Sequence, residues 1–182
     1  MNPSLKILHV VKILYHQLYD PFCIPIIHGW HGGFWDYRHK IKKTGGGRYL
    51  YYAYLAKHNA FVGLGANIQG TPTLPHGLNG IHISDAAIIG EGCVILQQVT
   101  IGSNTTKGSK KFGSPIIGRN VFIGAGAKII GKVCVGNNCR IGANCVVVKD
   151  MPDNSTAILR NIDIIINDTV RDNSYKGINH SL

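Results

Sequence analysis

Acidic side chains are scarce in this sequence: nine Asp and Glu stand against nineteen Lys and Arg, for a formal charge of +10 and a pI near 9.5. Charged residues of both signs make up only 15% against 45% hydrophobic, which excludes an intrinsically disordered chain. Long apolar runs are missing as well. Lys6, His9 and Lys12 interrupt the one apolar N-terminal stretch, so neither a membrane span nor a secretory signal is expected. The five cysteines form no CxxC pair and are odd in number, which argues against a disulfide framework and for a reducing, cytoplasmic setting. Zinc-finger spacing, a basic helix and an aromatic–basic RNA motif are all absent, so no nucleic-acid partner is expected. The positive field suits a phosphate-bearing cofactor or an acidic glycan equally well, and a plain solvated surface accounts for it too.

What the chain does have is glycine, 23 of them, spread without a collagen period. From residue 83 onward the sequence falls into rows of six. Ile83, Ile89, Ile95 and Ile101 open four rows, and Ile117, Ile123, Ile129, Val135, Ile141 and Val147 open six more. Glycine often stands second, and the fifth place is small or β-branched, as at Ala87, Cys93, Val121, Ala127, Cys139 and Cys145. This is the pattern of a parallel β-helix, in which a short strand turns a branched side chain inward and a small residue permits the corner. Cys93, Cys139 and Cys145 are therefore read as packing residues rather than nucleophiles. Between Ile101 and Ile117 the register breaks, and the polar, basic stretch 103–114 must leave the helix as a loop.

The expected organisation is an N-terminal helical segment over 1–59, a β-helix over 60–152 and a C-terminal extension over 153–182. Within the first segment, 5–19 and 48–59 have helical spacing, with a further helical piece around 35–42. A cap over the open end of the β-helix is the expected role, and an amphipathic membrane contact is the second reading for 5–19.

Several stretches together resemble the hexapeptide-repeat acyltransferases, in their serine acetyltransferase-like branch. They are Leu74-Pro75-His76-Gly77, Gly80-Ile81-His82-Ile83, Gln97-Gln98-Val99-Thr100-Ile101-Gly102, Ile123-Gly124-Ala125-Gly126-Ala127 and Ile141-Gly142-Ala143-Asn144-Cys145. The resemblance covers about residues 60–152. It implies a left-handed helix, a homotrimer, acetyl-CoA as donor and active sites between neighbouring subunits. His76 aligns with the general base of that branch. The chemistry agrees, because an alcohol attacking a thioester must lose its proton and histidine titrates in the useful range. Backbone N–H groups beside Gly102 are candidates for the oxyanion. By the same resemblance Gly102 and Ser103 meet the pantetheine arm, Ala125 and Ala143 line the groove, and Arg140 and Lys149 meet the CoA phosphates. Exposed corner charges are the other reading of that last pair. No metal is expected.

Three departures bear on substrate. Phe61 stands where serine acetyltransferases carry the carboxylate that orients the base, leaving a backbone carbonyl or Asp85 as substitutes. Gly113-Ser114 precedes Pro115 in place of the Arg-His pair that holds the acceptor carboxylate. The C-terminal isoleucine tail and the large helical domain of that branch are not seen. These departures favour an acetyltransferase acting on a sugar of a surface polysaccharide or its precursor, with the lysine-rich loop suited to a glycan acceptor. Serine O-acetylation is the alternative, and a non-catalytic β-helix scaffold a further one. Antibiotic acetylation shares donor and base. A γ-type carbonic anhydrase fails for want of a third histidine between 83 and 179.

Overall fold

The computed structural model describes residues 33–45 and 47–160, so the expected helix at 5–19 and the tail from 161 lie outside the described residues. Two helices precede the strands: α1 over 33–44 and α2, Arg48–Lys57. The strands in chain order are β1 (Phe61–Val62), β2 (Asn67–Ile68), β3 (His82–Ile83), β4 (Ile88–Ile89), β5 (Val94–Ile95), β6 (Thr100–Gly102) and β7 (Ile116–Ile117). They continue as β8 (Phe122–Ile123), β9 (Lys128–Ile130), β10 (Cys134–Val135), β11 (Arg140–Ile141), β12 (Val146–Val147) and β13 (Thr156–Ala157).

Each strand pairs in parallel with the strand one full coil away, giving three sheets. The first holds β1-β3-β6-β9-β12, the second β2-β4-β7-β10 and the third β5-β8-β11-β13. The architecture is a parallel β-helix of three-sided coils. The first corner joins the first sheet to the second, the second corner joins the second to the third, and the third corner returns the chain to the first sheet one coil further on.

The two-residue strands alternate outward and inward, so the second residue of each enters the core. Ile83, Ile89, Ile95, Ile101, Ile123, Ile129 and Ile141 are all fully buried, each contributing about 1.5–3 kcal/mol by burial. Cys93, Cys139 and Cys145 are buried at the corners, while Cys134 faces outward on β10. The corners are tight. A Cβ placed on Gly90 would lie 2.7 Å from the carbonyl carbon and oxygen of Gly118 in the next coil, so a hydrogen is all that fits. The third sheet extends to Thr156–Ala157 through pairing with β11, past the place at 152 where the six-residue rows end. There Val147 and Ala157 are ten residues apart rather than twelve, which hides the last strand from the spacing.

The helices plug the open end of the first coil. Tyr51 and Leu55, one turn apart on α2, are buried, and the Tyr51 hydroxyl donates to the Val62 carbonyl at 2.7 Å. From α1, Arg38 is 4% exposed, and its Nη2 donates to the carbonyls of Ala66 (2.6 Å), Gly63 (2.9 Å) and Leu64 (3.4 Å). One guanidinium thus satisfies chain-end carbonyls that have no coil above them. No described helix is long and apolar enough to cross a membrane.

Candidate acyl-transfer site

His76 stands on a three-residue enlargement of the third corner. The step from Leu74 to Ile83 is nine residues instead of six, and the surplus forms the exposed turn that carries the imidazole. Backbone bonds close this turn: Gly77 N–H donates to the Leu74 carbonyl at 3.0 Å and Ile81 N–H to that of Leu78 at 2.9 Å. Asn79 holds it from within, its Nδ2 donating to the His76 carbonyl at 2.9 Å. The Asn79 Oδ1 faces the His58 ring, whose Nδ1 donates at 3.5 Å from the end of α2. The Gly80 N–H also donates to the His58 carbonyl, at 2.9 Å. The turn that carries His76 is therefore tied to the cap.

The parallel register identifies what lies below the turn that carries His76. Thr73 bridges Val94, β5 pairs with β8 and β8 with β11. Counting three residues along from each of these strands places Gln97, Ala125 and Ala143 in one column, and Gln98 N–H donates to the Asn79 carbonyl at 2.8 Å, so Asn79 heads that column and His76 stands beside it on the surplus residues of the turn. The bonds at the corner agree, with Gly126 N–H donating to the Gln97 carbonyl at 3.0 Å and Asn144 N–H to that of Ala125 at 2.8 Å. Lys128 braces the same corner, its Nζ donating to the carbonyls of Gln98 (2.7 Å) and Gly126 (2.9 Å).

An open groove of about 780 Å³ runs along the outer face of the third sheet beside this column. Val94, Phe122 and Arg140 form its floor, Ala125 and Ala143 one wall, and Asn120 and Asn138 the other. Asn120 Nδ2 donates to Asn138 Oδ1 at 2.9 Å, and Asn138 in turn to Asn154 at 3.1 Å, a ladder that keeps the second wall regular.

The expected site residues thus fall into two groups. His76, Ala125 and Ala143 share the third corner, with Arg140 beside them on the sheet. Gly102 and Ser103 lie at the first corner, across the width of the first sheet, and Lys149 is two coils below Ser103 on that same edge. One chain does not bring the groups together. Among the described residues the Arg140 and Lys149 side chains and the His76 ring have no hydrogen-bond or ionic partner. Ser103 Oγ is 2.6 Å from Ser114 Oγ, a contact that closes the mouth of the loop. The loop itself folds back: Asn104 and Gly113 exchange backbone bonds at 2.8 and 2.9 Å, and Lys111 Nζ pairs with Asp150 Oδ1 at 2.9 Å.

Asp85 does not orient His76. It lies at the first corner, where its Oδ1 accepts from the Gly65 N–H at 2.8 Å. Phe61 points outward from the first sheet and stacks on Tyr52 with centroids 5.8 Å apart. His82 also faces outward, its Nδ1 donating to the Gly80 carbonyl at 3.1 Å. Among the described residues no cluster of His, Cys, Asp and Glu could hold a metal ion. Sequence reading missed Asn79, His58 and Lys128; the shift of register at Leu78-Asn79-Gly80 was the available signal for the first.

Residues 114–149 match the family described as bacterial transferase hexapeptide (six repeats). A serine acetyltransferase of Synechococcus elongatus is 38% identical over 94 residues, which are 52% of this chain and 37% of that protein. The crystal structure of a serine acetyltransferase isoform 3 from Entamoeba histolytica in complex with cysteine superposes with a TM-score of 0.58 at 31% identity, covering 67% of this chain and 42% of that one. A serine acetyltransferase in complex with CoA superposes with a TM-score of 0.55 at 27% identity, covering 68% of this chain and 50% of that one. The chain therefore spans about half the length of these relatives or less. All three are serine acetyltransferases, and the polysaccharide-modifying branch expected from the sequence finds no support among them.

Proposed function

We propose that this chain is an acetyl-CoA-dependent O-acetyltransferase with His76 as general base and L-serine as acceptor. The observation that carries the reading is the third corner, where the enlarged turn presents an exposed histidine above the two alanines that wall a groove. The likeness to a CoA-bound serine acetyltransferase supports acetyl-CoA as the co-substrate. It equally favours a left-handed coil. The split of the site residues between two edges supports a homotrimer, in which His76, Ala125, Ala143 and Arg140 of one copy face Gly102, Ser103 and Lys149 of the next.

In the reaction His76 accepts the proton of the acceptor hydroxyl as its oxygen attacks the thioester carbon. The C–O bond forms, the C–S bond breaks, and the proton passes to the departing CoA thiolate. Transfer is direct, since Cys93, Cys139 and Cys145 are buried in the coil and the exposed Cys134 lies on the second sheet, away from the third corner. Arg140 and Lys149, both unpaired, supply cations for the CoA phosphates. Free thiols and a nucleotide donor suit a cytoplasmic location. A sugar hydroxyl is the second reading, favoured by Gly113-Ser114 standing where an Arg-His pair would hold the serine carboxylate.

The test is CoA release from acetyl-CoA with L-serine and with a panel of sugars, wild type beside His76→Ala. Serine-dependent release that drops about 10²–10⁴-fold in the variant is the expected result. Release with sugars alone would replace the acceptor, and no release with any acceptor would overturn the enzyme reading.

A further inference from the structure

We infer that Asn79 is a positioning residue, whose side-chain amide fixes the peptide unit that aims the His76 imidazole. The inference rests on His76 being the base. The contact is with the main chain of His76 and not with its ring or with the acceptor.

The His76 side chain is exposed, so its placement starts from the backbone beneath it. A peptide plane is rigid, and fixing the unit between His76 and Gly77 fixes ψ of His76 and with it the line along which Cβ leaves the turn. Both ends of this unit are bound. Gly77 N–H donates to the Leu74 carbonyl at 3.0 Å, and the His76 carbonyl accepts from Asn79 Nδ2 at 2.9 Å. The unit needs such holding, because Gly77 stands at φ +64° with nothing within 4 Å of the place a Cβ would take. Glycine takes either sign of φ at little cost, so an unheld plane here would turn.

Asn79 is itself anchored. Its carbonyl accepts from Gln98 N–H at 2.8 Å, which ties it to the next coil, and the following Gly80 N–H donates to the His58 carbonyl at 2.9 Å. Its Oδ1 lies 3.5 Å from His58 Nδ1. The amide can face only this way, since its nitrogen alone can donate to the His76 carbonyl. An ionised aspartate at the same place would have the same size and no proton to give. The turn does not need this side chain to close, because the bonds from Gly77 to Leu74, Ile81 to Leu78 and Gly80 to His58 are all main chain. What the side chain adds is direction, and a base displaced by an ångström loses rate without the fold losing stability.

The experiment compares Asn79→Ala, Asn79→Asp, Asn79→Ser and His76→Ala by steady-state kinetics, thermal melting and amide exchange read by NMR. Expected for Asn79→Ala and Asn79→Asp is a kcat lower by about tenfold to a hundredfold, with the KM for acetyl-CoA and the Tm near wild type. Asn79→Ser should recover part of kcat, since a hydroxyl also donates to a carbonyl three residues back. The Gly77 amide should exchange faster in the Ala and Asp variants while the Ile81 amide keeps its protection. Wild-type kcat in both of those variants, or an Asn79→Asp as active as Asn79→Ser, overturns the proposal. So does a loss of kcat that comes with a matching loss of Tm, the mark of a merely structural role. If His76→Ala keeps wild-type activity, or no acceptor is turned over, the base assignment itself falls. The Gly77 amide then decides the clamp alone, and unchanged protection overturns it.

Discussion

Arg38→Met tests how the β-helix closes its end. The substitution keeps most of the apolar stem and removes the guanidinium that bonds three carbonyls of the first coil. Lys42 Nζ also donates to the Ala66 carbonyl at 3.2 Å, so that acceptor keeps one partner. The Gly63 carbonyl loses its bond to the guanidinium, and the Leu64 bond is too long to count for much. Charge-assisted bonds are worth about 1.5–3 kcal/mol each, and an orphaned buried acceptor costs about 1–3 kcal/mol. Against this stands relief of the Arg38 Nε, which is buried without a partner. The net expectation is a loss of about 2–4 kcal/mol, concentrated in the first coil because each coil touches only its neighbours. Hydrogen exchange read by peptide should show faster exchange over 60–68 and unchanged protection over 133–141. Uniform exchange across both regions, or no change in either, would refute the idea of a local plug. Arg38→Lys should recover little, since the shorter lysine stem does not carry its ammonium to the place that Nη2 occupies among the carbonyls.

Two further outcomes follow from the corners. Gly90→Ala drives a methyl to 2.7 Å from the Gly118 backbone; backbone cannot step aside, so about 3 kcal/mol should be lost, or roughly 6–12 °C in Tm. A melting curve superimposable on wild type would contradict the packing described. The Asp153 carboxyl is held below its ordinary range chiefly by the Asn137 N–H, which donates to Oδ1 at 2.8 Å. Its folded value lies below the unfolded one, so its stabilisation is complete above the unfolded value and is lost as pH falls through the folded one. NMR titration of that carboxyl should give a midpoint below that of an ordinary aspartate, and a midpoint at or above it counts against the bond.

Most of the coil was legible in the residues because every row repeats one physical requirement, a branched side chain inward and a small residue at the bend. Ile83 through Val147 therefore announce themselves. Thr156–Ala157 does not, since the turn from Val147 to Met151 takes four residues instead of six and the strand carries no large inward residue. Arg38 was invisible for another reason: its value lies in meeting carbonyls some 25 residues away, and local pattern holds no record of that. At the site, the shifted row pointed to His76, but the missing carboxylate left Asp85 as a candidate although a whole sheet separates the two.

The third corner is also a scale with even divisions. Coils stack at the spacing of paired strands, about 4.8 Å, so His76 and Ala143, three coils apart, are separated by about 14 Å along the axis. A complete extra coil inserted between them, such as the eighteen residues from Ile83 to Ile101, would add one division and leave the geometry at each end intact. An elongated ligand anchored at both points would then miss its mark by the height of a single strand. Distance along this corner is thus set by the number of turns, and it can change only in whole steps, without any side chain at either end being altered.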